Sequence, residues 1–133
     1  MTAVAFSSSE AEALVGAEAA RRRAVAVDGV ARPCVQLDGV VEGLALARAV
    51  LDAARARGLA LSAAVHAGED ALTAAEVGRV AVQLAVEEAA RGGLVATELV
   101  TRLAEGSRFA FGPARGAPAR HDVGDARHDE RLA

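Results

Sequence analysis

The stretch that decides the fold is Leu59-Ala60-Leu61-Ser62-Ala63-Ala64-Val65-His66-Ala67-Gly68-Glu69. It begins as an apolar run with partial alternation and ends in a compact polar turn. Leu59, Leu61 and Val65 suit one face of a strand, and the small residues between them let neighbouring backbones pack closely. Gly58 ends a helix immediately before it, so the run is short and reads as a buried central strand. The residues on its N-terminal side are material to cover one face of a sheet. Those on its C-terminal side are a second helix and a strand returning to that sheet.

Towards the N-terminus, residues 40–57 are the clearest helix. Val41, Leu44, Ala45, Ala47, Val50, Leu51 and Ala54 form its apolar stripe, with Arg48, Asp52, Arg55 and Arg57 mainly opposite. Asp28-Gly29 and Asp38-Gly39 are turn signals. Residues 24–27 and 30–37 are the arms of a hairpin, and Pro33 makes the second arm an edge or a broken strand. Residues 2–6 are a first strand. A helix to about Arg23 comes next, with Ser7 and Glu10, and Ser9 and Glu12, at capping-box spacing and Leu14 and Val15 inside.

Towards the C-terminus, Thr73 with Glu76 caps a helix to about Ala90 whose stripe is Val77, Val80, Ala81, Leu84 and Ala85. Arg91-Gly92-Gly93 stops it. Residues 94–96 are a strand, 97–103 a short helix capped by Thr97, and 108–111 a last strand. The order predicts an α+β fold: a mixed, mainly antiparallel sheet flanked by helices, ferredoxin-like, in one domain over residues 1–111. From Gly112 onward Pro, Gly, Arg, Asp and His dominate, so 112–133 read as a disordered tail.

Composition narrows the function. At 133 residues the chain is one domain with a core of Leu, Val and Ala, because aromatics are 2%. Base stacking on aromatic platforms is nearly excluded, and a net charge of −3 gives no attraction to phosphate backbones. Nucleic acid is therefore not an expected partner. All 15 basic residues are Arg, which removes Lys-based Schiff-base chemistry and a phosphate-loop lysine. The single cysteine, Cys34, cannot form an internal disulfide, and a reducing cytoplasm fits. No basic region followed by an apolar core opens the chain, and no apolar run reaches membrane-spanning length. The expectation is a soluble cytoplasmic protein with no membrane partner.

Several short words along the chain share an order. Gly58-Leu59 through Val65-His66-Ala67-Gly68-Glu69 resembles the Gly-Leu…His-Thr-Gly-Glu segment of class III nucleotidyl cyclase homology domains. The spacing from Asp38-Gly39 through the helix to His66 fits the family without a gap. Residues 76–85, Glu-Val-Gly-Arg-Val-Ala-Val-Gln-Leu-Ala, resemble the family's helix with the pattern Asp-x-x-Gly-x-x-Val-Asn-x-Ala-Ala-Arg. Residues 93–97 are similar to its next strand, and 103–111 to its closing Leu-x-x-Gly-x-x-Phe strand. The match spans about residues 37–111.

The resemblance implies a nucleotide-cyclase-like fold and a two-chain site. In such a site two carboxylates hold divalent ions on a triphosphate, an Asn assists, and an Arg meets charge developing on the phosphates. Here that equipment is replaced. The first strand ends Phe6-Ser7-Ser8, with Ser8 where the family has a metal-binding Asp. Asp28-Gly29 is the nearest candidate for the second carboxylate, at a distance from the next helix that differs by a few residues. The family's Asn position is Gln83, its Arg position is Glu87, and its base-reading Lys has no counterpart. A carboxylate a few ångström from a phosphate costs on the order of several kcal/mol in a partly buried site.

The resemblance therefore implies a catalytically degenerate cyclase homology domain. It would act as a dimerisation or regulatory module in signal transduction, as a homodimer or with a competent cyclase-type domain. An active or atypical cyclase using Mg or Mn, and a non-catalytic nucleotide-binding module, are the alternatives. No cofactor is expected unless the cyclase alternative holds. Asp28 and Asp38 are the acidic residues in range for a residual metal pair, although both precede Gly in turns, where Asp bonds locally. His66 is a candidate active-site residue, but the favoured reading is that it closes its strand and hydrogen-bonds within the turn. Cys34 is a small core residue. Glu87, Glu88 and Arg91 read as a solvated helix end, and Arg21-Arg22-Arg23 equally as a contact for an acidic partner or as a complement to the helix dipole. His121 and His128 with Asp122, Asp125 and Asp129 suggest a metal-binding tail. The entropy cost of closing such a site favours charged disorder.

Overall fold

The computed structural model describes residues 1–68 and 72–125. Strand β1 (Thr2–Phe6) leads through a 3-10 turn, Ser9–Ala11, into helix α1 (Glu12–Arg22). The edge strands β2 (Val25–Ala26) and β3 (Cys34–Leu37) come next, then α2 (Val40–Ala56), β4 (Ser62–Ala67) and α3 (Ala74–Glu87). The chain continues through β5 (Gly93–Ala96), α4 (Glu98–Leu103), β6 (Phe109–Phe111) and β7 (His121–Asp125). The sheet has seven strands in the order β2-β3-β1-β4-β5-β7-β6. All neighbours are antiparallel except β4 and β5, which are parallel and joined by the α3 crossover. The α+β expectation holds, and the 59–69 stretch supplies the middle strand.

Alternation along the strands separates two cores. Val4, Phe6, Val35, Ala63, Val65 and Ala96 face α1 and α2. Ala3, Ala5, Cys34, Ala64 and Val95 face α3, where Val77, Ala81, Leu84 and Ala85 meet them. The α3 face is built from small side chains, so that helix lies close to the sheet. The α2 stripe is wider than its spacing suggests: Leu46 is fully buried and Val41 lies partly in water. Among the described residues, no helix is long and apolar enough to cross a membrane.

Helix ends obey their chemistry with two changes of detail. Ser8, rather than Ser7 or Ser9, caps the first turn by accepting from Glu10 N at 3.2 Å. Thr73 and Glu76 form the expected capping box. Thr97 does not cap α4 with its side chain, because its hydroxyl lies 2.8 Å from His66 Nδ1. Pro33 ends the hairpin loop, and β3 begins at the next residue.

The tail requires a correction. Residues 121–125 form β7, inserted between β5 and β6, and 112–120 lead into it as an ordered hairpin tip closed by paired backbone bonds between Arg115 and Arg120. Residue 108 lies outside β6, and that strand pairs with β7 rather than returning beside β5. The part of the expected tail after residue 125, with His128 and Asp129, lies outside the described residues.

Candidate functional site

Some of the residues singled out by the sequence lie at the end of the sheet where β1 leaves it, and others do not. Where β1 leaves it, Ser7 Oγ accepts from Ser62 N at 2.9 Å, and Ser7 N donates to Ser62 O at 3.0 Å. Phe6 N donates to Pro33 O at 3.0 Å, which ties the hairpin loop to the same end. Ser62 Oγ donates to Ala85 O at 2.7 Å and anchors the second half of α3 there. Ser8, the 28–33 loop and Gln83 are thus brought near one end of the strands. A cleft of about 400 Å³ lies between α1 and the hairpin loop, lined by Glu12, Val15, Asp28, Arg32 and Cys34 among others.

The two candidate metal carboxylates are not brought together. Asp28 sits in the turn beside that cleft, whereas Asp38 lies beyond the far end of β3 with Met1, Arg23 and Gln36. The four residues of β3 between them span roughly 13 Å at about 3.3 Å per residue. Ser8 Oγ is engaged as a helix cap. Among the described residues no group of three His, Cys, Asp or Glu side chains could hold a metal. With Asp28 and Asp38 apart and Ser8 in place of a carboxylate, this donor set does not fit a pair of divalent ions.

Gln83 and Glu87 form one hydrogen-bonded unit. Gln83 Nε2 donates to Glu87 Oε2 at 2.9 Å, and Arg120 Nη1 lies 2.7 Å from Glu87 Oε1. These contacts, Gln83 first, hold the Glu87 carboxyl below its ordinary range. Glu88 departs from the expected solvated helix end. It is 3% exposed and accepts from Nη1 and Nη2 of Arg115, with Arg120 Nη1 at 3.3 Å. The Arg115 hydrogen bonds are the main reason its carboxyl titrates low. Arg115 also reaches Asp122 Oδ1 at 2.8 Å, and Arg91 reaches Asp122 Oδ2 at 3.4 Å. Arg120, 4% exposed, closes its own turn by donating to Pro118 O from Nε and Nη2. The tip of the β6–β7 hairpin is thereby clamped on the C-terminus of α3.

His66 lies inside β4 rather than in the turn after it, and burial pushes its pKa down. Cys34 is buried against α3, and burial raises its thiol pKa to about 12. That thiol is inert at neutral pH. His121 has Nδ1 2.8 Å from Gly112 O and Nε2 2.7 Å from Glu98 Oε2, which ties β7 to α4. Sequence reasoning missed Arg115 and Arg120 altogether. The available signal was two arginines flanking Gly116-Ala117-Pro118-Ala119, a turn composition between matched charges.

Neither a family model nor a curated protein matches this chain. Among solved structures, it is similar to an adenylate/guanylate cyclase/hydrolase from Silicibacter pomeroyi. The TM-score is 0.60 at 12% identity, over 92% of this chain and 94% of that one. The architecture is therefore a cyclase-like fold. At that identity the likeness concerns the fold alone.

Proposed function

We propose that this protein is a catalytically silent cyclase-like domain that works by association, with a second copy of itself or with a competent cyclase-type domain in the cytoplasm. The observation that carries this reading is Glu87. At the position where the cyclase pattern places an arginine, there is a carboxylate already paired with Gln83 and Arg120. A triphosphate approaching it would meet like charge, and freeing Arg120 to help would strip Glu87 of its cation and Glu88 of one of its cations. Val86, 42% exposed between these residues and Gln83, leaves apolar surface on the same helix for a partner. No divalent ion, nucleic acid or membrane enters this reading.

The test is incubation of the purified protein with Mn²⁺ and ATP or GTP, with chromatography of the products. No cyclic nucleotide is expected, and its formation would overturn the proposal. Sedimentation over a range of concentrations, alone and with a cyclase-type domain, tests association. A strict monomer that captures no partner would remove that half of it. The cleft between α1 and the hairpin loop favours a second reading, nucleotide binding without turnover. Calorimetric titration with ATP and GTP separates the two.

A further inference from the structure

On the opposite side of the sheet from α3, a cleft of about 780 Å³ is lined by Arg48, Asp52, Arg55, Arg108, Gly124 and Asp125, with Phe109 beside them. Arg48, Asp52 and Arg55 stand at i, i+4 and i+7 on α2, so they share one helix face. Arg108 approaches from the turn before β6. Two of the guanidinium groups are oriented by the protein itself. Arg48 Nη2 donates to Val123 O at 3.2 Å, and Arg108 Cζ lies 5.0 Å from the Phe109 ring centre. Arg21, Arg22, Arg91, Arg102, Arg115 and Arg120 each have a carboxylate within ion-pair distance. Arg48, Arg55 and Arg108 have none among the described residues, as is also true of Arg23, Arg32, Arg57 and Arg79 outside the cleft; what sets the three apart is that they converge on one concavity, with Asp52, likewise without an ion-pair partner, between two of them in the sequence. Three arginines thus meet two aspartates, Asp52 and Asp125, in one concavity, which leaves a local excess of positive charge in a chain whose net charge is −3.

We propose that this cleft binds a phosphorylated, hydroxyl-bearing small molecule of the sugar-phosphate class. The arginines hold its phosphate, because guanidinium groups match phosphate oxygens in charge and in paired donor geometry. Asp52 accepts from its hydroxyls, which is why the cleft carries acid among its cations. The site stands apart from the α3 surface and the hairpin cleft, so it does not depend on the function proposed above.

The experiment is amide-resolved NMR of the full chain titrated with ribose 5-phosphate, then separately with inorganic phosphate and with ribose. Saturable shifts are expected at residues 48, 55, 108, 109 and 124, with ribose 5-phosphate bound more tightly than either fragment. Arg55→Glu and Arg108→Glu, both at exposed side chains, weaken it at least about tenfold. Arg79→Glu on α3, with the same change in charge, leaves it unaltered. Thermal unfolding of each variant confirms that it is folded. No saturable shift, shifts confined to Ser8 and residues 28–33, or an equal loss in Arg79→Glu would overturn the proposal. Phosphate binding as tightly as ribose 5-phosphate would overturn the role of Asp52. Binding that emerges only in an Asp129→Asn, Glu130→Gln variant would assign the cleft to the chain's own end and sink the proposal.

Discussion

At Glu88 a carboxylate has left water to meet two guanidinium groups, and its removal takes the paired acceptor of Arg115 and one of the two carboxylate partners of Arg120. Glu88→Gln leaves Arg120, 4% exposed, with its ion partner lost on one side, and is expected to cost about 2–4 kcal/mol in urea denaturation. The same pair sets an acid limit. The folded-state carboxyl titrates below the ordinary glutamate value of about 4.3, so the unfolded chain takes up the proton first as pH falls. The stabilisation is whole above about pH 4.3 and is lost as pH falls through the lower folded value. In Glu88→Gln the urea midpoint should fall less steeply with acid. His66 acts in a higher window. Burial lowers its folded pKa below the unfolded value of about 6.5, so stability is full above that pH and declines as pH falls towards the folded value. A thermal midpoint that drops between about pH 7.5 and 5.5 in the parent, but not in His66→Gln, is the expected result.

At the scale of elements, close packing of helix on sheet makes one substitution change sign with position. A Cβ at Gly43 in α2 would lie 2.9 Å from Thr2 Cγ2 and 3.3 Å from Val4 Cγ2, both on β1. Those atoms belong to stiff, fully buried β-branched side chains of β1, next to the middle strand β4, and cannot give way cheaply. Gly43→Ala should therefore destabilise by about 1–3 kcal/mol, despite the better helix propensity of alanine. Gly16 in α1 has nothing within 4 Å of its would-be Cβ. There the propensity gain stands alone, and Gly16→Ala should stabilise by up to about 1 kcal/mol. Urea denaturation of the two variants side by side measures both signs.

For the whole molecule, the decisive feature is β7. It is the only link between β6 and the rest of the sheet among the described pairings, and it carries Val123 into the core shared with Phe109. A chain ended after Gly112 should lose cooperative unfolding or self-associate through the bared edge of β5, as seen by calorimetry and size-exclusion chromatography. A disordered tail would leave both measurements unchanged. The hairpin tip also bears on function, since Arg115 and Arg120 place their charge on Glu87 and Glu88 rather than leaving it for a ligand.

The sequence by itself determined the elements whose causes are local. The α2 stripe, the Thr73–Glu76 box, the stop at Gly58 and the alternation through Val65 each reflect contacts within a few residues, so period and capping chemistry were enough to place them. What only the tertiary structure decided was the fate of the polar stretch after Phe111, the separation of Asp28 from Asp38, and the burial of Glu88. Arg115 and Arg120 find their carboxylate 27 and 32 residues earlier in the chain. Nothing in their own neighbourhood distinguishes a charge that will be neutralised across the sheet from one that stays in water, because ion pairing depends on distance in space and not along the chain.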